Sequence, residues 1–169
     1  MPAQTIFNRD TYFNQTQIIE RERLQHLYEH YLKHHSASSI TYTDKDTYSP
    51  FDCLFISGSS LCFAEFKKRN ISIFKYDKSF IEKTKLVNLL PLHQSGGKAL
   101  FIIEYQEAFV FFNLSSLIFE PEAHCNENYD YNKLAWLDCT SDNFNYQRNQ
   151  TKKLIRYLSF EDAFLILSK

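Results

Sequence analysis

Apolar residues recur at two different spacings along this chain. From Asn14 to His35 they fall at helical intervals with charged residues between them, which predicts an amphipathic helix. The later apolar runs are short and are bounded by glycine, serine or other turn residues, a pattern typical of β-strands. Strands are predicted over residues 40–43, 51–56, 61–67, 71–76, 98–105 and 108–114.

Two more helices are predicted in the remaining sequence. Residues 78–90 have helical spacing, with Ser79 placed to cap the first turn and Pro91 as a stop signal. A short helix is predicted over residues 160–167. Helices therefore alternate with strands, and the continuous apolar run over 98–105 is typical of a strand that is buried on both faces.

The composition is that of an ordinary globular protein. The chain has 169 residues, of which 44% are apolar and 23% charged, enough for a sizeable core in a single domain. Its four cysteines include no Cys-x-x-Cys pair and the N-terminus shows no secretory signal, so we expect reduced thiols in a cytoplasmic, intracellular protein. No apolar run approaches membrane-spanning length, and no membrane association is expected.

One stretch concentrates the chemically active residues. Side chains on a strand alternate between faces, so Glu65 and Lys67 point the same way while Phe66 points the other. If the apolar runs on either side of the Gly58 turn form a hairpin, Asp52 lies on the neighbouring strand and can reach the same place. Two carboxylates and a lysine would then converge, an arrangement that binds a hard divalent cation and activates water beside it.

These residues resemble a known motif. Asp52, followed after twelve residues by Glu65-Phe66-Lys67, resembles the metal-binding motif of the PD-(D/E)XK nuclease superfamily, the restriction-endonuclease-like and Holliday-junction-resolvase-like phosphodiesterases, although Pro50 stands two places before the aspartate. The predicted order of elements also matches the αβββαβ core of that superfamily. The resemblance implies an α/β (α+β) fold with a central mixed sheet flanked by helices.

The resemblance also implies a division of the chain and an activity. The nuclease core would cover about residues 14–114, with a C-terminal extension over residues 115–169, all within one domain of residues 1–169. The expected activity is divalent-metal-dependent hydrolysis of phosphodiester bonds in DNA, and the small size and the extra C-terminal segment suggest a phage or mobile-element nuclease. Mg²⁺ or Mn²⁺ would be the cofactor.

Roles for individual residues follow from the same resemblance. Asp52, Glu65 and the backbone carbonyl of Phe66 would hold the metal, and Lys67 would orient or deprotonate the attacking water. The first helix of the family often carries a glutamate that faces the metal, and Glu20 matches that position best, with Glu22 as the alternative.

The helix that follows the Glu-x-Lys strand usually carries a lysine or glutamine facing phosphate or a metal-bound water. Lys85 is the better match, and Lys83 is the alternative.

The net charge of −1 gives no overall attraction to nucleic acid, but residues 67–85 contain seven lysines and arginines against two acids. The side chains predicted to contact nucleic acid are Lys68, Arg69, Lys83, Lys152 and Lys153. DNA is the expected partner, and a homodimer is common among enzymes that cut two strands.

Two alternatives belong to other classes of protein. The same fold serves inactive modules that bind nucleic acid or protein, and the complete set of motif residues favours the enzyme over such a module. A structural zinc site would use His26 and His30, which are one helical turn apart. No His-Glu-x-x-His arrangement and no nearby cysteine accompany them, so surface histidines are the favoured interpretation.

Overall fold

The computed structural model describes residues 9–35, 37–43, 49–117, 123–126 and 152–169. Two α-helices and nine strands alternate with short 3₁₀ turns over these residues. The helices are α1 (Arg9–His30) and α2 (Lys83–Gln94), and the 3₁₀ turns are Leu32–His35, Ile73–Lys75 and Phe160–Asp162. The strands are β1 (Ala37–Tyr42), β2 (Cys53–Ser57), β3 (Ser60–Lys68), β4 (Lys78–Glu82), β5 (Lys98–Glu104), β6 (Ala108–Asn113), β7 (Ala123–Asn126), β8 (Lys152–Ser159) and β9 (Leu165–Ser168).

Six of the strands form the central sheet, in the order β1-β2-β3-β5-β6-β9. Strands β3 and β5 are parallel, and the other neighbours in this sheet are antiparallel, so the sheet is mixed as predicted. A second sheet has the order β4-β8-β7. No helix in the described part of the chain is long and apolar enough to span a membrane.

The two faces of the central sheet have separate cores. Leu24 and Leu27 of α1 pack on one face against β2, β3 and β5, together with the buried, reduced Cys53 and Cys62. Leu89 of α2 packs on the other face with residues of β4, β5, β6 and β8. Strands β5 and β6 contribute to both cores and are buried along most of their length, as the apolar run predicts.

The prediction of a helix beginning at residue 78 is wrong. Residues 78–82 form β4, which pairs with β8, and Ser79 is a buried strand residue instead of a helix cap. Helix α2 begins only at Lys83, and Pro91 lies inside it on an exposed position without ending it. Local sequence does not reveal β4 because its partner strand is about seventy residues away in the chain.

Two other predicted elements differ in the structure. Residues 71–76 contain the 3₁₀ turn Ile73–Lys75 instead of a strand, because the Ser72 hydroxyl accepts the N–H of Phe74 and begins the turn. The predicted helix over residues 160–167 is a 3₁₀ turn followed by β9, which pairs with the edge of β6. The C-terminal residues thus complete both sheets.

Candidate active site

The β2–β3 hairpin places Asp52 close to Glu65. The register ends with the pair Cys53 and Ala64, and the N–H of Asp52, the residue before β2, donates to the Ala64 carbonyl at 2.9 Å. Side chains alternate between the two faces along a strand. Cys53 and Ala64 belong to the α1-side core, so the two carboxylates project to the side of α2.

The Asp52 carboxylate accepts a backbone N–H of β3 that has no backbone partner in β2. Its Oδ2 accepts the N–H of Phe66 at 2.8 Å, just where β2 no longer pairs with β3. The N–H and the carbonyl of one strand residue point toward the same neighbouring strand. The Phe66 carbonyl therefore points to the side of β3 on which Asp52 lies, as a third oxygen beside the two carboxylates.

Helix α2 supplies a lysine to this pair of carboxylates. The Nζ atom of Lys85 lies 2.7 Å from Oε1 of Glu65, whose side chain is 9% exposed. Lys83, the alternative, is half-buried two residues earlier in α2, and the structure shows Lys85 in contact with the candidate site. The second oxygen of Glu65, Oε2, is buried without a hydrogen-bond partner.

Helix α1 places a third carboxylate, that of Glu20, within electrostatic range of Asp52 and the two lysines. Burial, and then the charge of Asp52, raise the pKa of Glu20 to about 7, while Lys67 and Lys85 oppose that rise. Glu22 is exposed and lies beside Gln25 on the surface of the helix. The structure therefore brings Glu20 to the site and leaves Glu22 outside it.

The carboxylates repel one another in a poorly solvated place. Burial, and then the charge of Asp52, raise the pKa of Glu65 to about 8. Burial also raises the pKa of Asp52, although the hydrogen bond from Phe66 opposes the rise. Three carboxylates face two lysines here, so either protons or a further cation must neutralise the excess negative charge.

The oxygen atoms of this site suit a hard divalent cation. The partnerless Oε2 of Glu65 is a buried acceptor, and Asp52 and the Phe66 carbonyl offer oxygens beside it. Among the described residues, no group of three or more His, Cys, Asp or Glu side chains could hold a metal ion by itself. A cation here would complete its coordination with water and phosphate oxygens, as Mg²⁺ commonly does.

The remaining predicted residues differ in their exposure and in the side of the strand on which they lie. Lys67 is half-buried on the same face of β3 as Glu65, and its charge lowers the pKa of Glu20 and Asp52. Lys68 is exposed and alternates to the other side of the strand. The guanidinium of Arg69 stacks over the Phe80 ring at 4.3 Å. Lys152 and Lys153 lie in β8, and their side chains are outside the described set.

The histidine pair on α1 does not form a metal site with other described side chains. The rings of His26 and His30 lie 4.3 Å apart, with Tyr31 at the edge of His26. No third His, Cys, Asp or Glu completes a ligand set within the described ranges. The structure thus gives no support to the zinc alternative.

Sequence reasoning missed a second buried charge cluster. Glu104 is 2% exposed at the end of β5, where Arg23 Nε donates to both of its oxygens at 2.9 and 3.0 Å and Lys169 Nζ lies 2.6 Å away. Burial opposes its ionisation, but these hydrogen bonds outweigh that effect and lower its pKa. A charged residue ending an otherwise apolar strand is a signal that a partner must exist.

One solved structure has a similar overall architecture. The chain resembles Hjc from Archaeoglobus fulgidus, a Holliday junction resolvase from an archaeal hyperthermophile, with a TM-score of 0.51. The shared fold is that of a junction resolvase. The match covers 90% of this chain and 91% of Hjc at 13% sequence identity, so it establishes the fold alone. No protein-family model and no curated protein matches the chain. The predicted fold class is confirmed.

Proposed function

We propose that this chain is a divalent-metal-dependent nuclease that hydrolyses phosphodiester bonds in DNA. The observation that carries the proposal is Glu65, a buried carboxylate with one oxygen bound to Lys85 and the other without a partner. Asp52, the residue before β2, raises the pKa of Glu65 through its charge, and the fold resembles that of a Holliday junction resolvase. Burying charge in this way is costly, and such sites are concentrated where proteins do chemistry.

Asp52, Glu65 and the carbonyl of Phe66 would hold Mg²⁺ or Mn²⁺. When bound, such a cation polarises a phosphate and lowers the pKa of a coordinated water. The hydrogen bond from the Phe66 N–H fixes the Asp52 carboxylate in one orientation. The Asp52 carboxylate would therefore already be oriented for metal binding.

The lysines and Glu20 would act on the water and the phosphate. Lys67 would orient or deprotonate the attacking water and stabilise charge on the phosphate. Lys85 would neutralise Glu65 in the absence of the cation and face the phosphate in its presence. Glu20, with its pKa raised to about 7, would accept a proton from the water near neutral pH.

Branched DNA is the first substrate to test. The structural neighbour is described as acting on Holliday junctions, which contain four duplex arms. Cutting a junction symmetrically takes two active sites, so a homodimer would suit this activity. The basic residues that follow the motif strand, Lys68 and Arg69, would contact DNA phosphates near the site.

An inactive DNA-binding module on the same fold is the second candidate. The ion pair between Lys85 and Glu65 favours it, because this contact already satisfies one potential metal-ligand oxygen. The partnerless second oxygen of Glu65 favours the enzyme instead. Cleavage assays separate the two candidates directly.

The decisive experiment is a nuclease assay on linear, nicked, branched and single-stranded DNA with Mg²⁺ or Mn²⁺. Lys67→Ala should keep the melting temperature and most of the DNA affinity but lower cleavage by roughly a hundredfold or more, the effect of removing one acid-base or electrostatic group. Lys68→Ala is the matched control, because it removes the same charge from the opposite side of the strand. If no substrate is cut with either metal, and both variants weaken DNA binding equally, the chain is a binding module.

A further inference from the structure

The loop between β3 and β4 exposes two aromatic rings. We call residues 70–77 the aromatic loop. Phe74 is 85% exposed, the largest exposure among the exposed hydrophobic residues of the described chain, and Tyr76 is 56% exposed. A single exposed apolar residue is ordinary on a protein surface, but two rings within three residues at such exposure are unusual.

The aromatic loop is anchored on the N-terminal side of Phe74. Ile71 and Ile73 pack against the α2-side core, and the Ile73 N–H donates to Glu107 Oε2 at 3.0 Å. The Gln106 N–H donates to the Ile71 carbonyl at 3.1 Å, which ties the loop to the β5–β6 turn. The backbone that leads to Phe74 is therefore fixed, which lowers the ordering cost when the ring binds a ligand.

Phe74 itself sits in a capped 3₁₀ turn. The Ser72 hydroxyl accepts the Phe74 N–H at 3.2 Å, and the Lys75 N–H donates to the Ser72 carbonyl at 3.2 Å. These bonds satisfy the backbone on either side of the ring. The exposure of Phe74 thus comes from local structure that positions the ring, and no apolar pocket of the described chain receives it.

Lys75 stands between the two aromatic residues in the chain, and Lys78 follows the loop at the start of β4. Lys75 Nζ lies 5.4 Å from the Tyr76 ring, and Lys78 Nζ lies 4.5 Å from the ring of Tyr157 in β8. Asp77 is the one acid between residues 67 and 78, against five lysines and arginines. Rings interleaved with cations fit a ligand that combines flat apolar faces with negative charge, whereas the core of a protein interface is depleted of charge.

The loop leaves the sheet directly beyond the candidate active site. Strand β3 carries Glu65 and Lys67 and then continues into the aromatic loop, while β5 runs parallel to it and ends at the same edge. The N–H of Arg69 donates to the Glu104 carbonyl at 2.8 Å at that edge. Phe74 therefore lies in the segment that directly follows the strand of the candidate active site.

We propose that Phe74, assisted by Tyr76, stacks on unpaired bases of DNA while Lys75 and Lys78 contact the adjoining phosphates. This inference rests on the proposed nuclease function and narrows its substrate class to DNA with unstacked bases, such as a fork or a branch point. Bases stack on exposed aromatic rings regardless of sequence. Fully paired duplex keeps its bases inside the helix and offers such a face only at its two ends.

The test measures DNA binding without divalent metal, so it does not depend on cleavage. The probes are a blunt duplex and the same duplex ending in a single-stranded fork that carries 2-aminopurine. Phe74→Ala should lower affinity for the fork by about tenfold and change duplex affinity by less than about twofold. Fluorescence of 2-aminopurine should be quenched by wild type and much less by this variant.

Conservative variants separate stacking from bulk hydrophobicity. Phe74→Leu keeps an apolar side chain without a ring and should behave like Phe74→Ala, whereas Phe74→Tyr should bind the fork like wild type. Because Phe74 is exposed, none of these changes should alter the melting temperature. Equal fork affinity for wild type and Phe74→Ala would overturn the inference. So would a change of oligomeric state in Phe74→Ala, which would mark the loop as a protein contact.

The outcomes for this inference and for the proposed function are distinguishable. If Phe74 governs fork binding but no DNA is cut with Mg²⁺ or Mn²⁺, stacking stands and the nuclease proposal fails. If DNA is cut and neither fork binding nor fork cleavage responds to Phe74, the nuclease stands and the stacking inference fails.

Discussion

Two buried glutamates on neighbouring parallel strands have opposite surroundings. Glu104 meets two cations, Arg23 and Lys169, and its pKa is lowered because their hydrogen bonds outweigh the effect of burial. Glu65 meets one cation and faces the Asp52 carboxylate, and its pKa is raised to about 8 by burial and by that negative charge. The side chains are about equally shielded from solvent, so the difference lies in their partners.

The comparison separates a charge that holds the fold from a charge that is available for chemistry. Glu104 joins α1, β5 and the residue after β9, and both of its oxygens accept a hydrogen bond from Arg23. Oε2 of Glu65 is buried without a hydrogen-bond partner, and leaving a buried acceptor unpaired destabilises the folded protein. Buried carboxylates that remain unsatisfied are therefore the better guide to a candidate site than buried carboxylates as such.

The largest expected effect on stability comes from removing Glu104. Glu104→Ala should lower the free energy of unfolding by about 3 kcal/mol, because two cations lose their shared partner; their partial exposure keeps the loss at the low end for a broken buried pair. Glu65→Gln should leave stability at pH 8 unchanged or raise it, because it removes carboxylate repulsion. Urea unfolding at pH 8 without metal measures both. Equal losses for the two variants would contradict the comparison.

The second test of the comparison uses pH and metal. Glu20 and Glu65 have folded-state pKa values raised to about 7 and about 8 from an ordinary 4.5. Their contribution to stability is complete below pH 4.5 and is lost as the pH rises through 7 to 8, where the folded protein must release those protons. Metal binding needs the deprotonated ligands, so Mn²⁺ should raise the melting temperature more at pH 8 than at pH 6.

Thermal unfolding at both pH values, with and without Mn²⁺, provides the measurement. The Asp52→Ala, Glu65→Ala double variant is the control and should show no metal-dependent shift. Glu104→Gln should keep the shift if it remains folded, because Glu104 belongs to the other cluster. A shift that survives in the double variant would show that the metal binds elsewhere.

The smallest expected effect concerns the carboxylate from α1. Glu20→Gln should lower cleavage without unfolding the protein, because it removes a proton acceptor but leaves the predicted metal ligands in place. Glu22→Gln should change the rate little, since Glu22 is exposed beside Gln25. Single-turnover cleavage of the best substrate compares the two. If Glu22→Gln lowers the rate and Glu20→Gln does not, the catalytic role belongs to Glu22.

Most sequence patterns of short range were reliable in this protein, although residues 71–76 were predicted as a strand and contain a 3₁₀ turn. The alternation of side chains along a strand puts Glu65 and Lys67 on one face, and the Gly58 turn, with a φ of 59°, closes the hairpin that brings Asp52 close to Glu65. The continuous apolar run over residues 98–105 likewise indicated the buried strand β5. Each of these features depends on backbone geometry within one or two neighbouring elements, which the local sequence encodes.

Patterns that depend on distant partners were misread or missed. Residues 78–82 and 165–168 form strands because β8 and β6 pair with them, and local spacing favoured helix in both places. The choice of Lys85 and Glu20 over their neighbours, and the partners of Glu104, likewise followed from how α1 and α2 pack on the sheet.

The sequence by itself thus determined the motif, the hairpin and the chemical character of the candidate site. Only the tertiary structure decided which helical side chains reach that site and which carboxylate is neutralised by partners. The physical reason is range: strand alternation and turn geometry act within a few residues, whereas pairing and desolvation depend on groups far apart in the chain.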